Sequence, residues 1–187
     1  MPCNKEAKDN SGWTALHWAA HNEHHEAVRE LIGLSAYLNA EASDGATALH
    51  YAASEGHSTI VELLTELGAD KTAKDIHGSM ALHDAASNGH VATVWLLVYL
   101  GLDKDAKNNK RWMALQCAAS KRHNSTIRLL IELGADKEAK ARNGSMALHI
   151  AASVSTRTPR AATDERLYTG RLATDMRAWF ANSSSSV

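Results

Sequence analysis

The chain has 187 residues and a formal net charge of −1, from 20 Lys plus Arg against 21 Asp plus Glu. So even a balance provides no field to hold a polyanion, which argues against nucleic-acid or membrane-surface binding. Cys3 and Cys117 are too few for a disulfide framework, Met1 to Asn10 lacks the apolar core of a signal peptide, and the longest hydrophobic run, Val94 to Leu100, falls far short of the roughly 18 residues of a membrane span. The expectation is a soluble, intracellular protein, cytoplasmic or nuclear, with no membrane attachment.

One four-residue motif recurs along the chain: Thr14-Ala15-Leu16-His17, Thr47-Ala48-Leu49-His50, Met80-Ala81-Leu82-His83, Met113-Ala114-Leu115-Gln116 and Met146-Ala147-Leu148-His149, always 33 residues apart. The same offset superposes Ala19-Ala20 on Ala52-Ala53, Ala85-Ala86, Ala118-Ala119 and Ala151-Ala152. Within one period, Ala48 to Glu55 reads as a short helix of small residues that stack closely, closed by Gly56 at a left-handed helix end. Ile60, Val61, Leu63, Leu64 and Leu67 form the apolar stripe of a second helix over Ser58 to Leu67, ended by Gly68. A polar exit then leads to Asp75-Ile76-His77-Gly78, which has the composition of a hairpin tip.

Gly45-Ala46-Thr47-Ala48-Leu49-His50, Gly56-His57, Val61-Glu62-Leu63-Leu64 and Gly68-Ala69-Asp70 resemble the ankyrin repeat, whose period is 33 residues with the motif T-P-L-H-x-A. The resemblance implies an all-α solenoid of stacked helix-turn-helix units with hairpin-like tips. In chain order, residues 1–8 read as the exit of a truncated preceding repeat; full repeats follow at 9–41, 42–74, 75–107 and 108–140, and 141–153 is a partial fifth copy. Both ends stop in mid-pattern, so a fragment or shortened product of a longer array is expected. Residues 154–187 abandon the period. Tyr168, Leu172, Met176 and Trp179 fall at helical spacing there, so 164–181 is expected to form an amphipathic helix that caps the last repeat.

The eleven histidines do not read as a metal site. His17, His50, His83 and His149 share one column of the repeat and His24, His57, His90 and His123 another. Column neighbours lie about 8–10 Å apart, the spacing of packed helices, whereas zinc binds nitrogen at about 2.0–2.1 Å. His17 and His21, one helical turn apart, have no Cys or HExxH context beside them. Cys117 reads as a packed thiol, and GxSxG, Walker A and GxGxxG are absent. Neither a cofactor, a metal nor a catalytic residue is expected.

A repeat array offers instead a rigid concave surface. By resemblance to ankyrin proteins, partner contacts fall on the tips and the exposed side of the first helix. The tips are Asn10, Ser11 and Trp13; Ser43, Asp44 and Ala46; Ile76, His77 and Ser79; Asn109, Lys110 and Trp112; Arg142, Asn143 and Ser145. First-helix neighbours are Trp18, Tyr51, Asp84, His21, Glu55, Asn88 and Lys121. Trp13 and Trp112 are the leading anchors, because Ala46, Ser79 and Ser145 hold the same place without an indole. Lys110, Arg111, Lys121 and Arg122 form a weaker basic candidate. Trp95 and Tyr99 replace Arg29, Glu62 and Arg128, and Gly33, Glu66 and Glu132, so this pair is expected to face outward, where the tail covers it, self-association uses it, or it stays exposed. The function expected is a non-catalytic module that binds a protein partner. The alternatives are a targeting or regulatory array of a larger enzyme or signalling protein, and a truncated product with no partner.

Departures from the family pattern mark expected weak points. The motif's Pro is Ala in every copy, and Met80, Met113 and Met146 lack the capping hydroxyl, typically worth ~1 kcal/mol. Glu23 and Arg122 replace the inter-helix glycine, Arg111 the tip glycine and Gln116 the motif histidine, which makes the fourth repeat the least stable internal copy by expectation.

Overall fold

The computed structural model describes residues 6–140; the fifth copy, the tail and its proposed helix lie outside the described residues. Eight helices alternate as inner and outer members of four pairs: α1 (Ala15–His21) with α2 (His25–Gly33), α3 (Ala48–Glu55) with α4 (Ser58–Glu66), α5 (Ala81–Ser87) with α6 (Val91–Tyr99), and α7 (Ala114–Ser120) with α8 (Asn124–Glu132). The inner helices stack in a row, α1 on α3 on α5 on α7, while α4 packs on α6 and α6 on α8.

The Ala-Ala pairs explain the inner row. Ala19, Ala20, Ala52, Ala53, Ala85, Ala86, Ala118 and Ala119 are all buried, so consecutive helices approach with no side chain larger than a methyl between them. Leu16, Leu49, Leu82 and Leu115 bury beside them, and Val28, Ile60, Leu64, Val94, Leu97 and Leu130 close the core from the outer row.

A polar ladder runs through this apolar stack. The backbone N–H of the residue that precedes each inner helix donates to the side chain three residues on: Thr14 to His17 Nδ1 at 2.9 Å, Thr47 to His50 Nδ1 at 3.1 Å and Met80 to His83 Nδ1 at 3.1 Å. A ring nitrogen that accepts carries no hydrogen, so the hydrogen sits on Nε2. Each Nε2 in turn reaches a carbonyl of the next repeat, Ala46 at 3.3 Å, Ser79 at 3.1 Å and Trp112 at 3.1 Å, and His83 Nε2 also lies 3.1 Å from Ala106 O at the exit of its own copy. Each histidine thus satisfies an orphan donor at its own helix start and a carbonyl acceptor in the next copy.

Gln116 does the same work with an amide. Its Oε1 accepts from Met113 N at 2.9 Å and its Nε2 donates to Ala139 O at 3.0 Å. Among the described residues Gln116 therefore keeps the helix-start bond and the own-copy bond that His83 makes to Met80 N and Ala106 O, contrary to the expectation that Gln116 marks a defect.

A second ladder joins the outer helices to the preceding copy. His57 Nε2 lies 2.9 Å from His21 O, His90 Nε2 2.8 Å from Ser54 O and His123 Nε2 2.9 Å from Ser87 O. The inter-helix glycines make room for these rings. A Cβ on Gly56 would stand 2.5 Å from the His90 ring, and one on Gly89 would clash with His123.

Four non-glycine residues adopt the left-handed backbone that glycine holds in sister copies: Glu23 (φ 59°), Ser35 (φ 64°), Arg111 (φ 60°) and Arg122 (φ 66°). Ser35 stands where Gly68, Gly101 and Gly134 stand, a strained position that the pattern of departures did not reveal. Left-handed backbone costs a residue with a Cβ roughly 1–2 kcal/mol, and a glycine returns about 0.5–1 kcal/mol of that as unfolded-state entropy. Arg111→Gly and Arg122→Gly are each expected to stabilise the chain by about 0.5–1 kcal/mol, read as a higher urea midpoint. Unchanged midpoints would show that the fourth copy carries no strain at these turns.

The aromatic pair on α6 requires a correction. Trp95 is only 3% exposed and belongs to the core, while Tyr99 is 63% exposed and stacks on it at 5.0 Å with the rings 9° apart. Glu62 and Arg128, which occupy the Trp95 position in the neighbouring copies, are themselves half-buried. The position lies at a seam between outer helices rather than on an open face, and an indole there is drawn into the core.

Candidate partner-binding surface

Each tip is shaped by a side-chain oxygen that accepts from the backbone ahead of it. Asp9 Oδ1 accepts from Ser11 N at 2.8 Å and Trp13 N at 2.9 Å, Asp75 Oδ1 from His77 N and Ser79 N at 2.9 and 2.6 Å, and Asn108 Oδ1 from Lys110 N and Trp112 N, both at 3.0 Å. In the second copy Ala42 holds that place, and Asp44 Oδ1 accepts from Ala46 N at 3.0 Å instead. These turns place Trp13, Ala46, Ser79 and Trp112 two residues before their inner helices. Successive tips are joined by single backbone bonds, Ser43 N to Ser11 O, Ile76 N to Asp44 O and Asn109 N to His77 O.

The nine residues singled out from the sequence fall mainly into two groups. In the first, Trp13 is half-buried and packs against Tyr51 at 4.2 Å and Trp18 at 4.8 Å between ring centroids, with His21 at 5.3 Å. Trp18 donates its indole N–H to Asp9 Oδ2 at 3.1 Å, and the Tyr51 hydroxyl donates to both Asp44 oxygens at 3.0 Å. The backbone N–H of Trp13 is the main cause that holds the Asp9 carboxyl below its ordinary range, with Ser11 N and the Trp18 indole adding to it. Burial, then the bond to Asp44, pushes the Tyr51 hydroxyl up, so it remains a donor. Trp18 is 51% exposed.

In the second group, His77, Lys110, Trp112 and Lys121 surround a pocket of about 230 Å³ together with Asp84 and Cys117. Trp112 is half-buried, and no aromatic ring stacks on it among the described residues. Burial and the charge of Asp84 push the Cys117 thiol up to about 12, which removes its thiolate at neutral pH. Ile76 stands apart, 61% exposed at its tip.

Two participants were underrated in the sequence. Asp9 was legible from its register with Asp75 and Asn108, which shape their turns in the same way. Asp84 was placed on the inner helix, but its burial was not, because its column neighbours Tyr51 and Cys117 are uncharged and their surroundings are not printed in the sequence.

A family model of ankyrin repeats, three copies long, matches residues 1–75 and again 78–157. The chain is an ankyrin-repeat protein. No curated protein resembles it closely enough to count as a match. Ankyrin repeats are in general protein–protein interaction modules, and the family is typically non-catalytic. Among the described residues of this ankyrin array, no helix is long and apolar enough to cross a membrane.

Proposed function

We propose that this ankyrin array is a non-catalytic module that holds a protein partner along its tips and inner helices, with Trp18 and Trp112 as principal contacts. The observation that carries the reading is Trp18, a large aromatic on an inner helix that stays 51% exposed although its ring packs on Trp13 and its indole N–H bonds Asp9. Exposed indoles on a rigid concave face supply apolar area at little entropic cost, and Trp is prominent among residues that dominate interface energy. Trp13 takes a different part, because its ring is spent on Trp18 and Tyr51. It supports the contact surface from beneath.

Affinity capture with wild type and with Trp18→Ala, Trp112→Ala, followed by titration of each partner retained, tests this. Loss of at least ~2 kcal/mol, about thirtyfold in Kd, is expected for the double variant. Equal affinity of variant and wild type for every captured partner would refute it, with circular dichroism confirming that both are folded.

A further inference from the structure

Asp84 differs from the other carboxylates of the concave face. Asp9, Asp44 and Asp75 each accept backbone or side-chain hydrogen bonds within their own tips. Asp84 is half-buried on α5, lines the pocket of about 230 Å³, and accepts no side-chain hydrogen bond from any described residue. The repeat does not require an acid there, since Trp18, Tyr51 and Cys117 hold the same place. A carboxylate withdrawn from water without a donor is costly, and a hydrogen-bonding cation is the group that offsets the cost.

We propose that this pocket is a receptor for a Lys or Arg side chain of the partner protein, whose ammonium or guanidinium group bonds Asp84 beside the Trp112 indole, while acidic neighbours of that residue meet Lys110 and Lys121. The proposal rests on the binding-module reading above and names the chemistry of the partner. Lys110 and Lys121 are exposed, so water and salt screen their repulsion of the entering cation far more than they screen the desolvated Asp84. The indole of Trp112 adds a face on which a guanidinium stacks. Asp44 and Asp75 add negative potential at Asp84 from the neighbouring tips.

Proton release is the signature of such a contact. Burial, reinforced by Asp75 and Asp44, pushes the Asp84 carboxyl up to about 8, so near neutrality the empty pocket holds a proton that a cation must displace. The other groups facing it do not supply this linkage. Tyr51 and Cys117 are pushed up and stay protonated, His83 is pushed down by burial and stays neutral, and Lys110 and Lys121 line the rim as cations. His77 lines the same pocket, and a His77→Gln variant separates its contribution.

The whole chain is used to select from a displayed library of random peptides at about pH 8.5, and affinities of retained peptides are measured between about pH 7 and 8.5. Retained peptides are expected to carry Lys or Arg next to Asp or Glu, and to bind Asp84→Asn about tenfold or more weakly. Wild-type affinity is expected to fall about eightfold from pH 8.5 to 7, as for a single carboxyl that titrates near 8, with the same fall in His77→Gln and none in Asp84→Asn. Peptides without basic enrichment, or equally tight binding to Asp84→Asn, would overturn the proposal. If those peptides still depend on Trp18, the binding-module reading stands alone, and if no peptide is retained, both fall.

Discussion

Acidification from about pH 6.5 to 5.5 is expected to cost the array up to about 2 kcal/mol of stability, a slope set by the buried histidine ladder. Desolvation is the largest cause that lowers the folded-state affinity of His17, His50 and His83 for a proton, and their bonds to carbonyls of the next repeat offset it only in part. A proton on Nδ1 would also evict the backbone N–H that bonds there. In the unfolded chain each ring takes a proton near its ordinary value of about 6.5. The stability these rings contribute is therefore present above that value and is lost as pH falls toward their depressed folded values. Each ring of the unfolded chain goes from about half to about nine-tenths protonated across this window, which is worth at most about 1 kcal/mol, so three give at most about 3. Asp84 acts in the opposite sense. Its carboxyl is raised to about 8, so across this window the native state holds one proton that the unfolded state does not, which offsets about 1.4 kcal/mol of the loss.

Gln116 supplies the comparison variant from within the protein. At position 116 a glutamine accepts from the helix-start N–H, donates to a carbonyl and cannot titrate, so His17→Gln, His50→Gln, His83→Gln combined is expected to fold at neutral pH and to lose the acid sensitivity. Urea midpoints of wild type and triple variant at about pH 7.5 and 5.5 measure this. Parallel decreases in the two proteins would show that the acid lability resides elsewhere.

Trp13→Ala is expected to destabilise the chain by about 2–3 kcal/mol, below the roughly 3–5 typical of a fully buried aromatic because the ring is only half-buried. The indole holds Trp18, His21 and Tyr51 together, and Tyr51 belongs to the next repeat, so its loss loosens the joint between the first two copies. Trp112→Ala removes a ring with no stacked partner among the described residues and is expected to cost less than about 1 kcal/mol, the scale of a surface substitution with some packing. Chemical denaturation with hydrogen exchange in the first two repeats distinguishes them. Equal, small effects for both would mean that the aromatic contacts around Trp13 contribute little.

This contrast bears on how the site was read. Trp13 and Trp112 occupy the same position of the repeat and look alike in the sequence. They differ because Trp18 and Tyr51 are aromatic, whereas the residues that occupy those places beside Trp112 include Cys117. The sequence does contain this information, but only once the packing shows that a tip residue meets the inner helices of its own copy and the next.

The period of 33 was sufficient to establish the helices, their order and the inner row of alanines, since each copy faces the same constraint of burying itself against its neighbours. Ala48–Glu55 and Ser58–Glu66 form where the pattern of small and apolar residues puts them, and the left-handed turn at Gly56 follows from its place between the two.

What the period left open are properties of neighbourhoods. Register assigns a residue its place on the backbone, but burial depends on what the adjacent copies bring to that place. Trp95 was expected outside and lies in the core, because its position is a seam between outer helices. Gln116 was expected to weaken its repeat and instead makes the two bonds that His83 makes within its own copy, because the position selects an acceptor and a donor at the right distance rather than a residue type. Asp84 acquires its raised affinity for a proton from a pocket built by two consecutive repeats, and desolvation of that kind exists only when they are stacked.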